Sequence, residues 1–254
     1  MRYLALAVIA SLLALALCFV FPAEKADVYV IANGAVSKGE LEFASLVLEE
    51  EYGDWINVHL ADQKFRDPES HDPNLRFHES FDTYQYKTES FFDIAPGYYH
   101  KFNADILIIL TDKHIYPSEE FNYVFGQARM GEMRMAVLST WYLKRTPDAM
   151  HVAEDSLFQQ RLRKLVLHET GHTLGLFHHP NRECVMTYSA SLPEFDKAGI
   201  KLCGQSKDTL NVTVPEFLCG KDCLIYTVAA FLQAFLLWSV LFFVFMFYTK
   251  RSKP

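Results

Sequence analysis

The chain has 254 residues, 50% of them hydrophobic and 22% charged, and a formal net charge of −7. That length holds one ordinary domain, with apolar residues left over for membrane segments. The negative balance excludes the basic surface on which nucleic-acid binding depends and leaves peptides or proteins as the substrate class.

Residues 1–23 contain an apolar run, Leu4 to Phe21, preceded by Arg2. This reads as a secretory signal peptide or an uncleaved signal anchor. From 27 to 207 the chain reads as one domain. Asp27-Val-Tyr-Val-Ile-Ala32 is expected to be a buried strand, and Leu41 to Tyr52 an acidic amphipathic helix with Leu41, Ala44, Leu48 and Glu51 on successive turns. Ile56 to Leu60 is a second strand. Gln63 to Lys101 is polar, aromatic and rich in Asp, His and Pro, so it reads as a long surface excursion in which His71, His78 and His100 are solvated. Ala104 to Leu110 is the clearest strand, and Phe121 to Arg129 and Arg134 to Thr140 read as two more around a turn at Met130-Gly131. Ser156-Leu-Phe-Gln159 has the spacing of a capping box. It would open a helix on which Phe158, Leu162, Leu165, Val166 and Leu176 recur at helical spacing and bury one face. The fold class is therefore α/β, a mixed twisted sheet with an active-site helix against it, flanked by hydrophobic segments at both ends.

Residues 208–223 read as a juxtamembrane linker, and Asn211-Val212-Thr213 within them is a glycosylation sequon. Leu224 to Tyr248 carries no charge, and its clearly polar residues are Thr227, Gln233 and Ser239, so it is expected to be a transmembrane helix. Residues 249–254 form a basic tail with Lys250, Arg251 and Lys253, which by the positive-inside tendency is cytoplasmic. The bilayer is then a partner. The protein would cross it once, or twice if the N-terminal segment is retained, with the domain on the non-cytoplasmic side.

The chemistry sits in His168-Glu-Thr-Gly-His172-Thr-Leu-Gly-Leu-Phe-His178, an HExxHxxGxxH stretch. His168 and His172 are one helical turn apart and can bind a single Zn²⁺ from one face. Gly175 lies where the helix must stop and turn if His178 is to become a third ligand, and glycine tolerates the φ > 0 such a turn needs. Three protein ligands and one open position are what a catalytic zinc requires. Glu169 is no ligand, but beside the metal it can take a proton from water and pass it to a leaving amine. The competing bland reading is a helix that happens to carry solvated histidines.

These residues resemble the archaemetzincins, a family of the metzincin clan of zinc peptidases. In that family the third histidine is followed by C-x4-C-x-M and later by C-x-x-C. Here His179, Cys184, Met186, Cys203 and Ser206 stand at those positions. Phe121-Asn-Tyr-Val-Phe-Gly-Gln-Ala128 and Ala136-Val-Leu-Ser139 are similar to the family too, so the resemblance covers most of residues 27–206. It implies a domain divided by a cleft, a substrate paired with an edge strand drawn from Tyr123 to Arg129, and Met186 as a hydrophobic floor beneath the histidines. The family's four cysteines hold a second, structural zinc. With His179 and Ser206 in two of those places, the expectation is a Cys184–Cys203 disulfide instead, with Cys219 and Cys223 as a separate pair. The competing expectation is a second zinc on His179, Cys184, Cys203 and a cysteine from 219–223. Tyr188 is two residues past Met186. In astacins and serralysins a tyrosine there approaches the metal, whereas the archaemetzincin pattern favours a partly buried turn residue.

The function so implied is a membrane-anchored zinc metallopeptidase with one catalytic zinc. Two alternatives are a tethered binding or adhesion protein whose zinc turns nothing over, and a zinc hydrolase of a non-peptide bond. Glu169 speaks against the first, because a structural site has no use for a carboxylate beside an open metal position.

Overall fold

The computed structural model describes residues 25–68, 75–145, 154–215, 217 and 218. Strand β1 (Ala26–Asn33) buries Val28, Val30 and Ile31 completely, as an apolar run with few polar interruptions must when both faces of a sheet are covered. Helix α1 (Lys38–Tyr52) follows and starts before the expected Leu41. Its true opening is a capping box at Ser37, whose Oγ accepts from the Glu40 N–H at 3.2 Å while the Glu40 carboxylate accepts from the Ser37 N–H at 2.6 Å. Strand β2 (Ile56–Leu60) lies parallel to β1.

Residues 63–101 are not the surface excursion that their polarity suggests. Strand β3 (Leu75–His78) and strand β4 (Thr83–Lys87) form an antiparallel pair about a short 3-10 turn. Helix α2 (Thr88–Phe102) then runs through Pro96 and buries Phe91, Phe92 and Ala95 in the main core with Ile31, Leu107, Ile109 and Val137. Strand β5 (Ile106–Thr111) is buried throughout, and β6 (His114–Tyr116) joins β4 to complete a separate three-stranded sheet. The expected strand from Phe121 begins only at Gly126. Residues 121 and 122 are loop, their carbonyls taken by Arg76 at 2.8 and 2.9 Å.

Strands β7 (Gly126–Arg129) and β8 (Arg134–Ser139) finish the five-stranded sheet, ordered β2-β1-β5-β8-β7. Its first four strands are parallel, and β7 is antiparallel at the edge. This is the mixed sheet read from the sequence.

Helix α3 (Asp155–Thr173) carries the zinc motif. The expected capping box at Ser156 does not form, because the helix starts at Asp155 with Glu154 as N-cap and no side-chain cap bond. Leu162, Leu165, Val166 and Leu167 are buried, whereas Phe158 is half-buried. Arg161 is buried in the same helix. Its Nε and Nη2 donate to the Asp196 carboxylate of helix α4 (Leu192–Lys197), each at 2.6 Å, and Nη1 donates to the carbonyls of Leu143 and Arg145. Taking the anion from a buried cation is costly. Asp196→Ala should lower stability by about 3 kcal/mol, read by urea denaturation, and no more than that because the Asp196 side chain keeps some contact with water.

Helical residues 204–215 form α5. Its Leu210 and Val214 are buried, Asn211 accepts from Trp55 Nε1 at 3.0 Å, and Thr213 donates to the Leu174 carbonyl at 2.9 Å. Residues 25–214 form one compact unit, so the stretch expected to be linker from 208 instead begins as docked helix. Among the described residues no helix is long and apolar enough to cross a membrane. The expected segments 1–23, 224–248 and 249–254, and the pair Cys219 and Cys223, lie outside the described residues.

Candidate active site

The end of α3 folds as its glycines allow. After Thr173 the helix is closed by Leu174, and Gly175 takes φ +95°, the left-handed conformation expected of it. The turn brings the His178 ring within 4.7 Å of His172 and 5.2 Å of His168, centroid to centroid, and the two helical rings are 4.7 Å apart. One nitrogen from each of the three lies within 4.8 Å of the others.

Two backbone carbonyls fix the helical imidazoles. His168 Nδ1 is 2.8 Å from the Val185 carbonyl, and His172 Nδ1 is 2.7 Å from the Leu176 carbonyl. A carbonyl can only accept, so each Nδ1 carries the proton and each Nε2 keeps its lone pair. Those two Nε2 atoms face each other at 3.1 Å. Burial lowers the pKa of all three histidines, that of His168 to about 3 with His172 adding to the effect, so the imidazoles stay neutral. Two lone pairs turned on one point repel unless a cation lies between them. Nitrogens bound tetrahedrally at about 2.0–2.1 Å would be roughly 3.3 Å apart, so the donor set fits zinc.

Glu169 lies on the inner side of α3, 6% exposed, and desolvation pushes its carboxyl from 4.5 up to about 8 in the metal-free protein. A neighbouring dication would pull it back down. Without metal, the folded protein holds a proton that the unfolded chain releases between those pH values. Through Glu169 alone, stability of the chelator-treated protein should therefore fall as pH rises from about 4.5 to about 8, against a rise up to about 6.5 from the histidines whose pKa values burial lowers. Glu169→Gln should remove that fall, as thermal unfolding across pH would reveal.

Met186 is fully buried. A Cβ added to Gly171, between the two helical histidines in sequence, would lie 2.5 Å from its Sδ, so the methionine packs directly under the motif. Tyr188 has its ring 5.2 Å from His178 and is 57% exposed, more open than the partly buried turn residue expected. His179 points away from the three histidines. Its Nδ1 accepts from the Asn181 N–H, its Nε2 faces Gln205, and its donor atoms group with Cys184 and Cys203. Those cysteines form a disulfide, with Cα atoms 5.0 Å apart, and the Ser206 hydroxyl lies beside both sulfurs. The bond ties the Met186 segment to residues 201–203, where the Val185 N–H also donates to the Lys201 carbonyl at 2.8 Å.

Gly126, at the start of β7, meets Glu169 across the sheet–helix interface. No local sequence signal marked it, since the contact joins distant parts of the chain.

Comparison with known proteins gives a consistent result. A family model described as peptidase family M54 matches residues 76–211. The archaemetzincin of Haloarcula marismortui is 37% identical over 122 residues, covering 47% of this chain and 68% of its own. That of Sulfolobus acidocaldarius is 30% identical over 135 residues, covering 52% and 72%. Among solved structures, the archaemetzincin of Methanopyrus kandleri superposes with a TM-score of 0.59 at 27% identity, covering 77% of this chain and 98% of that one. A zinc-dependent peptidase from Methanocorpusculum labreanum shares the fold, with a TM-score of 0.54 at 23% identity over 72% of this chain and 100% of its own.

Proposed function

As the chain belongs to peptidase family M54, the archaemetzincin family of zinc-dependent metallopeptidases, we propose that His168, His172 and His178 hold its catalytic zinc and that Glu169 carries the proton in peptide hydrolysis. The observation that carries this is the pair of lone-pair-bearing Nε2 atoms of His168 and His172, 3.1 Å apart, with both Nδ1 protons committed to carbonyls. Zinc, when bound, supplies the Lewis acidity that polarises a scissile carbonyl and acidifies water. The Val185 and Leu176 carbonyls keep the imidazoles in the tautomer a metal needs. Glu169 takes the proton of the attacking water and delivers it to the leaving amine. The edge of β7, which pairs with no further strand among the described residues, offers backbone groups to an extended peptide, which would lie antiparallel or parallel along Gly126–Arg129.

The experiment is zinc determination by elemental analysis with cleavage of a fluorogenic peptide library, before and after a chelator. One zinc per chain and chelator-sensitive cleavage support the reading. Bound zinc with no peptide cut by any preparation favours the tethered binding protein instead, and cleavage confined to non-peptide substrates favours a different hydrolase.

We further propose that the disulfide replaces the family's structural zinc and that the domain faces an oxidising compartment, anchored through residues 4–21 and 224–248. The pairing of Cys184 with Cys203 supports this, since such bonds persist outside the reducing cytosol. Alkylation mapping without reductant tests it, free thiols at both positions being the contrary result.

A further inference from the structure

Gly126 has a backbone that any residue could adopt, since the glycines with positive φ among the described residues are Gly34 and Gly175. What it supplies is space. A Cβ at this position would lie 2.6 Å from Glu169 Cγ and 2.8 Å from both Cδ and Oε1. Contacts that short do not occur, so any side chain at 126 must displace something. A glycine within a strand often marks such a close approach.

The direction of the displacement follows from how each partner is held. Gly126 is paired with Leu138 in the β7–β8 ladder, and the carbonyl before it accepts from the Ser139 N–H at 2.8 Å. The Glu169 backbone lies within α3, four residues before its end. The Glu169 carboxylate, by contrast, has no hydrogen bond among the described residues, although the side chain is 6% exposed. Its soft coordinates are its own torsions, so a methyl at 126 turns the carboxylate aside and leaves strand and helix in place.

We propose that Gly126 is a positioning residue: its bare Cα is the wall against which the Glu169 side chain lies, and that contact aims the carboxylate. This rests on the reading of Glu169 as the group that moves the proton. A group held by packing alone keeps its aim only while the wall stays flat. A displacement of about 1 Å at a reacting group can cost about 10²-fold in rate.

The test compares the full-length protein with Gly126→Ala, Glu169→Ala and the double variant, measuring kcat and KM on one fluorogenic peptide, zinc content and thermal midpoint. Gly126→Ala should keep one zinc per chain and the parent's KM while kcat falls by about 10²-fold. In the double variant the alanine at 126 should cost nothing beyond Glu169→Ala, because the group it displaces is gone. Should Gly126→Ala fail to fold, the double variant should fold, the methyl then occupying the emptied space. The proposal is overturned by parental kcat in Gly126→Ala, by additive losses in the double variant, by a loss confined to KM or zinc content, or by misfolding of both variants. Parental activity in Glu169→Ala overturns the assignment of the base instead, whatever Gly126→Ala does.

Discussion

Glu169→Ala should bind as much zinc as the parent and cleave peptides about 10² to 10⁴ times more slowly. The separation of the two properties follows from the geometry. None of the three metal-facing nitrogens is held by Glu169: His168 is fixed by the Val185 carbonyl and His172 by the Leu176 carbonyl. The carboxylate lies inward against Gly126, so its removal opens space beneath the strand without unseating a ligand. On the proposed mechanism polarisation of the carbonyl would survive and the proton acceptor would be lost, the kind of deficit that general-base catalysis measures. Loss of zinc together with activity would contradict this, because it would make the carboxylate part of the metal's support.

His172→Ala should have the larger effect on metal. It deletes one of the three proposed ligands and leaves the His168 and His178 nitrogens with an incomplete set. Removing an outer partner that merely orients a ligand costs about 10 to 100-fold in metal affinity, and removing the ligand must cost more. After dialysis against metal-free buffer the variant should hold well below one zinc per chain, and cleavage should drop to background. Retention of stoichiometric zinc would mean that another group completes the site, Tyr188, with its ring 5.2 Å from that of His178, being one candidate.

The grouping of His168, His172 and His178 was legible in the sequence because its instructions are local. Helical spacing sets His168 against His172, and a glycine that can adopt φ +95° at 175 is enough to bring His178 round. The buried strands were legible for a similar reason, as runs such as Ile106–Thr111 have no polar face to disguise them. Residues 75–102 were not. The strand Thr83–Lys87 buries a glutamine, Gln85, and exposes a tyrosine, Tyr84, which inverts the usual pattern. Gln85 tolerates burial because it exchanges hydrogen bonds with Arg76, His114 and the Asn122 carbonyl. Helix α2 was hidden by the Asp, His and Pro content of residues 63–101, Pro96 inside the helix included, while its buried Phe91, Phe92 and Ala95 attach it to the core strongly enough to override the proline. Ser156 misled in the opposite direction, since a capping pattern needs a chain end to cap and the helix had already begun. The contact between Gly126 and Glu169 is long-range, and a single sequence contains no periodicity for it.

The three histidines and the two carbonyls that orient them all fall between residues 168 and 185. The edge strand and Gly126 belong to a part of the chain made earlier. During synthesis the sheet is therefore translated before any ligand exists, and the tool arrives last. The histidine segment closes only short loops, whereas the contact between Glu169 and Gly126 needs α3 settled against β7.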